Sequence, residues 1–189
     1  MATVNSYTGN MPTPDRTSVD EIVDAAREIL EREGLAGLTM QAVAQQVGVR
    51  APSLYKRVVS RDALVRLVVE ATLTDVSRLD GNDVPTLAAA IRAFARSRPA
   101  AFQLVMAPRE SRPGPEFITA ASEPVLRVAT ALAGPDDALE AARTITAWAN
   151  GFISMELAGG FNLGGDVDRA WEYGVERLVA AITGARQAR

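Results

Sequence analysis

TMQAVAQQVGVRAPSLYKRV, residues 39–58, reads as two short helices joined by a tight turn. Thr39 can cap the first helix with its hydroxyl, and Val43, Ala44 and Val47 share one face at i, i+1 and i+4. Gly48 ends that helix, because glycine takes the left-handed backbone that a sharp turn needs, and Val49 can then turn inward as a plug. Pro52 suits the first turn of the second helix, where its missing N–H is not needed, and Leu54 and Val58 point inward at i, i+4. Two helices that cross steeply need a small side chain where their backbones approach, and Ala44 supplies it. The pattern is that of a helix-turn-helix, an element that DNA-binding proteins lay in the major groove. Taken alone it also fits an unrelated helical hairpin with a turn glycine.

Around this stretch the charge is polarised. The whole chain carries a net charge of −3, so any contact with nucleic acid has to be local. Between Gly48 and Arg66 stand five cations, Arg50, Lys56, Arg57, Arg61 and Arg66, against the single acid Asp62, a net +4, while residues 20–33 are acidic. Positive charge therefore gathers where phosphates would have to lie, although such a face can also be merely solvated.

Upstream, Ser18-Val19-Asp20-Glu21 is a capping box, and the helix it opens puts Ile22, Ala26, Ile29 and Leu30 on one face before ending near Gly34. It should brace the two shorter helices and complete a three-helix unit over residues 18–62. Residues 1–17 have no apolar period and read as a flexible tail, with Arg16 near its end. Downstream, Ser60 caps a connecting helix over residues 63–80 with Leu64, Leu67, Val68 and Ala71 inward. Gly81-Asn82-Asp83 then breaks the chain.

Residues 83–185 form a larger helical body. One helix carries Leu87, Ala90, Ile91, Phe94 and Ala95 and stops before Pro99; a short one follows over residues 100–105, then a loop with Arg109 and Arg112. The helix over residues 116–133 contains Pro124, which predicts a kink or two shorter helices. In the last third, Ala141, Ile145, Trp148, Phe152 and Met155 make one apolar stripe, and Asp166 caps a final helix with Val167, Ala170, Trp171, Gly174, Val175, Leu178 and Ile182. The expectation is an all-α chain of about nine helices. Small and apolar residues on the two closing helices, Ala142, Ala149, Trp171, Gly174 and Leu178, are the candidate contacts of a homodimer.

Leu38-Thr39-Met40, Val43-Ala44, Gly48-Val49, Ser53-Leu54-Tyr55 and Asp62-Ala63-Leu64, in that order, resemble the TetR family of bacterial one-component transcriptional regulators over residues 18–70. Trp148-Ala149-Asn150-Gly151-Phe152, with the glycines that follow, resembles the TetR subgroup named for a Trp-His-Gly motif over residues 85–183, with Asn150 where that subgroup often has histidine. Asparagine keeps hydrogen bonding but cannot titrate near neutrality. The resemblance implies a homodimer that binds a palindromic double-stranded DNA operator, most often as a repressor, and that a small-molecule effector releases.

Carried onto this chain, the resemblance has Tyr55, Lys56 and Arg61 gripping the DNA backbone, with Thr39 at a helix start that suits a phosphate oxygen. Tyr55 could equally cover the turn, and Arg57 could be solvated. Arg50, Ala51, Pro52 and Ser53 lead the recognition helix, where Arg50 alone has a fork for both guanine acceptors and Ala51 or Pro52 can press a thymine methyl. Val58 stands where the family usually has phenylalanine, and Arg61 where lysine is common. Helical bodies of this kind bury an apolar cavity between helices, for which Phe102, Met106, Phe117, Trp148, Asn150, Phe152 and Met155 are the candidate lining; Trp148, Phe152 and Met155 would be plain core in most helices.

The composition closes other routes. With neither cysteine nor histidine there is no thiol, no Ser-His or Cys-His nucleophile and no usual zinc or copper ligand, and no metal site or cofactor is expected. Glu110, Glu116, Glu123 and Glu156 are candidate acid/base groups, but no pair of them shares a helical face with a nucleophile or phosphate loop. No apolar run reaches the ~18 residues of a membrane span and residues 1–10 have no signal core, so the expected location is the cytoplasm. A helical scaffold whose helix-turn-helix binds protein is the remaining class, and the retained cations speak against it.

Overall fold

The computed structural model describes residues 17–107 and 112–187. The tail expected over residues 1–17, Arg16 included, lies outside the described residues apart from Thr17, and so do Arg109 and Glu110. The described residues form nine helices and no strand, the all-α class expected, and none of the helices is long and apolar enough to cross a membrane.

The first three helices build the small unit. α1 (Val19–Gly37) starts on the predicted capping box, Ser18 Oγ accepting from Glu21 N–H at 3.1 Å and the Glu21 carboxylate accepting from Ser18 N–H at 2.8 Å. It does not stop at Gly34 but is interrupted there, with φ 69°, and one further turn delivers Leu38 into the core. α2 (Met40–Gln46) is capped by Thr39, whose Oγ1 accepts from Ala42 N–H at 3.1 Å. Gly48 takes φ 73°, and Val49 N–H returns to the Ala44 carbonyl at 2.9 Å, which fixes the turn. α3 (Ala51–Tyr55) ends before Val58, since the chain must become extended to present Ser60 as the cap of the next helix. Ala44, Leu54 and Val58 are buried together, the packing read from their spacing.

α4 (Arg61–Ser77) is buried on more than one face. Val65, Val69, Thr72 and Leu73 are buried beside the expected Leu64 and Val68, whereas Leu67 and Ala71 are only half-buried. The arc is wide because α4 packs on α1 along one side and on α6 (Pro99–Met106) and α7 (Pro115–Ala133) along the other. One core accordingly runs across the boundary between small unit and body: Ala101 and Leu104 of α6 are buried with Ile29, Leu38 and Val68, and Phe117 and Ala121 of α7 pack against them.

Polar ties reinforce that seam. Arg27 of α1 pairs with Asp75 of α4. Glu31 of α1 caps α6, accepting from Ala100 N–H at 3.0 Å and Ala101 N–H at 2.9 Å. Glu70 of α4 accepts from Gly114 N–H, at the start of α7, at 3.1 Å. The helix α6 has no cap of its own, because Arg98 precedes Pro99 and offers no side-chain acceptor.

The body is completed by α5 (Val84–Ser97), α8 (Ala138–Leu157) and α9 (Val167–Gln187). α7 runs as one helix through Pro124, so the alternative of two shorter helices does not occur. The stripe expected on α8 is partly corrected: Ala141, Ala142, Ile145, Ala149 and Ile153 form its buried line, Trp148 and Phe152 lean toward α9, and Met155 is half exposed. Arg92 on α5, unremarked in the sequence, is buried.

Candidate nucleic-acid interface and buried cavity

The second helix of the helix-turn-helix presents its polar residues outward. Arg50, Pro52, Ser53, Tyr55, Lys56 and Arg57 are exposed and Ala51 is half-buried, while Leu54 and Val58 hold the other side of the segment in the core. Arg50 stands immediately before α3 with no side-chain cap to make, and its carbonyl closes the first turn with Ser53 N–H at 2.8 Å. Among the described residues, Arg50, Lys56 and Arg57 meet no carboxylate, so their charge is free for an anion. Thr39 is exposed, although its hydroxyl oxygen is already accepting from α2. Tyr55 is 49% exposed.

Arg61 departs from expectation. Its guanidinium donates from Nε to the Leu38 carbonyl at 2.7 Å and from Nη2 to the Leu35 carbonyl at 2.5 Å. A helix end leaves carbonyls without intrahelical partners, and an arginine fork satisfies two of them. Arg61 ties the end of α1 to the start of α4, and its guanidinium, expected on a phosphate, is engaged with these two carbonyls. Arg66 lies 3.7 Å from Glu70 one turn along, which offsets its charge.

A second feature lies inside the body. A cavity of about 600 Å³ opens between α4, α5, α6, α7 and α8, walled chiefly by Leu73, Leu87, Ile91, Phe94, Phe102, Val128 and Ile145. Of the candidate lining, Phe102, Met106 and Asn150 face it. Phe117 does not, because it packs into the core shared with the small unit. Trp148, Phe152 and Met155 do not either. Trp148 and Phe152 lie 5.6 Å apart, and Trp171 and Phe161 complete an aromatic cluster at 4.6–5.2 Å in the α8–α9 seam. The polar residues of the cavity that sequence reasoning missed are Thr72, Arg112, Ser122 and Thr146. Thr72 offered the one signal, a hydroxyl at inward spacing on an apolar helix.

That aromatic seam is closed by an ion cluster. Arg92 of α5 reaches Glu156 of α8 and, at 2.9 Å, Asp168 of α9, with its guanidinium 4.9 Å from the Trp171 ring. Arg96, one turn on, contacts the same two carboxylates at 2.5 and 2.6 Å. Hydrogen bonds from Arg92, and then from Arg96, hold the Glu156 carboxyl below the usual carboxylate range against the opposing pull of burial. Arg96 does the same for Asp168. Glu156 is thus held as an anion between two arginines.

The candidate dimer contacts lie mostly inward within the single chain. Ala142, Ala149 and Trp171 are each about 95% buried within this one chain, and Ala149 faces the cavity. Gly174 is covered by Trp148, whose ring would lie 2.2 Å from a Cβ added there, and Leu178 packs into the body's own core. The outward faces of the two closing helices carry other residues: Leu139, Ala147, Gly151 and Met155 on α8, and Ala170, Tyr173 and Arg177 on α9.

Residues 15–68 match the family model described as bacterial regulatory proteins, tetR family, and residues 84–178 match that of the tetracyclin repressor-like C-terminal domain. An uncharacterized HTH-type transcriptional regulator of Mycobacterium tuberculosis is 29% identical over 159 residues, 77% of this chain and 73% of its own. Among solved structures, BioQ of Mycobacterium smegmatis is 27% identical with a TM-score of 0.69, covering 88% of this chain and 98% of its own. ActR from Streptomyces coelicolor shares the fold at 19% identity, with a TM-score of 0.72 over 93% of this chain and 99% of its own.

Proposed function

The chain belongs to the TetR family of bacterial regulatory proteins, and from that premise we propose that it is a homodimeric repressor whose two α3 helices read a palindromic operator until a small molecule fills the cavity. The observation that carries this reading is that one helix serves both sites. α4 begins directly after the helix-turn-helix, and Thr72, Leu73 and Val76 at its other end wall the cavity. A ligand that fits better when α4 is displaced lowers DNA affinity by the difference in its binding to the two arrangements, no more. The displacement acts on operator binding by spoiling the match of the two α3 helices to successive major grooves about 34–36 Å apart.

Base reading falls to Arg50, with Ala51, Pro52 and Ser53 against thymine methyls and base edges, and Lys56, Arg57, Tyr55 and Thr39 hold the backbone. So few base contacts leave part of the specificity to DNA shape. The two copies join through the outward faces of α8 and α9, where Gly151 and Ala147 let backbones approach. A target on DNA places the protein in the cytoplasm.

Footprinting on the DNA flanking the protein's own gene, with excess nonspecific competitor, should reveal a two-fold-symmetric protected site. An absence of sequence-selective binding across a whole genomic library would overturn the reading. Sedimentation of Gly151→Leu tests the interface separately: the variant should shift toward monomer, and an unchanged dimer would place the interface elsewhere.

A further inference from the structure

We infer that the ligand of the cavity is an apolar molecule ending in a carboxylate or comparable oxyanion, with Arg112 as its counter-ion; this rests on the reading of the cavity as an effector site. Among the described residues that wall the cavity, Arg112 is the single ionisable side chain. A lipophilic cation would exchange its hydration shell for a wall that has no carboxylate among the described residues, beside a positive charge, and both terms oppose it. An anion meets the reverse situation. Arg112 is exposed and has no carboxylate partner among the described residues, so among them its guanidinium is open to a ligand's oxyanion.

The remaining polar groups of the wall differ in whether their protons are already used. The Asn150 carboxamide donates from Nδ2 to the Met106 sulfur at 3.9 Å, and a thioether is a weak acceptor. That contact sets Asn150 against the end of α6, and Arg112, just before α7, lines the same cavity. Thr146 lies one turn before Asn150 on the same face of α8. Thr72 and Ser122 already donate their hydroxyl protons to the Val68 and Ile118 carbonyls, each at 2.8 Å, and so have none to offer a ligand. The donors left over are Arg112, Asn150 and Thr146, which suits an oxyanion head. The apolar body would extend toward Leu73, Leu87 and Ile145, and a volume of about 600 Å³ suits one molecule of ordinary ligand size.

Dodecanoate, dodecanamide and dodecylammonium share one apolar body and differ in the head, so calorimetric titration of each into the intact dimer, below micelle-forming concentrations, reads the head alone. The carboxylate should bind about tenfold or more tighter than the ammonium. Arg112→Gln should close the gap between carboxylate and amide, and Arg112→Lys should restore most of it. Equal or tighter binding of the ammonium overturns the assignment, as does a carboxylate affinity unchanged by Arg112→Gln, or binding by none of the three. The effector reading is judged apart, by DNA affinity in the presence of each compound. A carboxylate that binds through Arg112 without weakening DNA binding sinks that reading and leaves the ligand class standing, whereas release by the ammonium alone sinks the ligand class and leaves the effector reading.

Discussion

Arg92 and Glu156 are bonded fork to fork between α5 and α8, Nε to Oε2 at 2.9 Å and Nη2 to Oε1 at 2.7 Å, with both side chains nearly withdrawn from water. Removing one partner of such a pair leaves a desolvated charge, which costs more than the pair contributes. Arg92→Leu should therefore lower stability by about 3 kcal/mol, the low end of that cost, because Arg96 still reaches Glu156. Urea unfolding measures it, and a loss within the ±0.5 kcal/mol typical of surface changes would show that the pair contributes nothing.

The same cluster fixes a pH response. Glu156 and Asp168 both titrate below their usual range in the folded protein, held there by the two arginines, so the folded state binds fewer protons than the unfolded one. The stabilisation is complete above the unfolded carboxyl values near ~4 and is lost as pH falls through the lowered folded values. The melting temperature should stay level down to about pH 5 and drop below about pH 4. In Arg92→Leu the drop should be shallower and should end at higher pH, because the folded carboxyl values then lie nearer the unfolded ones, and a drop of equal depth would contradict the assignment.

Lys56 and Arg61 should separate in DNA binding. Lys56→Ala should reduce the slope of log affinity against log salt by about 1 with little change in stability. Arg61→Ala should leave the slope alone and lower stability by about 1–2 kcal/mol, because two helix-end carbonyls lose their donor. The opposite pattern would return Arg61 to the phosphate backbone.

Glu31→Ala should destabilise the protein by about 1–2 kcal/mol although Glu31 lies on α1, because it strips the start of α6 of its acceptors. Hydrogen exchange at Ala100 and Ala101 should quicken more than at α1 itself. Unchanged protection at those two amides would mean that water serves the helix end as well as the carboxylate does.

Local signals were legible in the sequence and distant pairings were not. Thr39, Gly48, Pro52 and the Ser18-Glu21 capping box work through neighbours three to five positions away, so their spacing alone announces them. Arg61 reads as a cation among cations until the end of α1 is folded against it. Trp148 and Ala149 are adjacent, and apolarity cannot say which faces the cavity; that depends on where α9 lies. Arg92 and Glu156 are 64 positions apart, and each looks like an ordinary surface charge on its own helix.

The core that crosses the boundary after α4 bears on how such a chain can be rearranged. Cutting it after Arg78 would strip Ile29, Leu38 and Val68 of Ala101 and Leu104, and leave the Glu31 and Glu70 carboxylates without the amides they hold. The helix-turn-helix unit and the helical body are separable as text but not as objects. A chimera that takes the helix-turn-helix from one relative and the body from another inherits half of each parent's interior, and its two halves have to be re-fitted along α4 and α6 before it can fold.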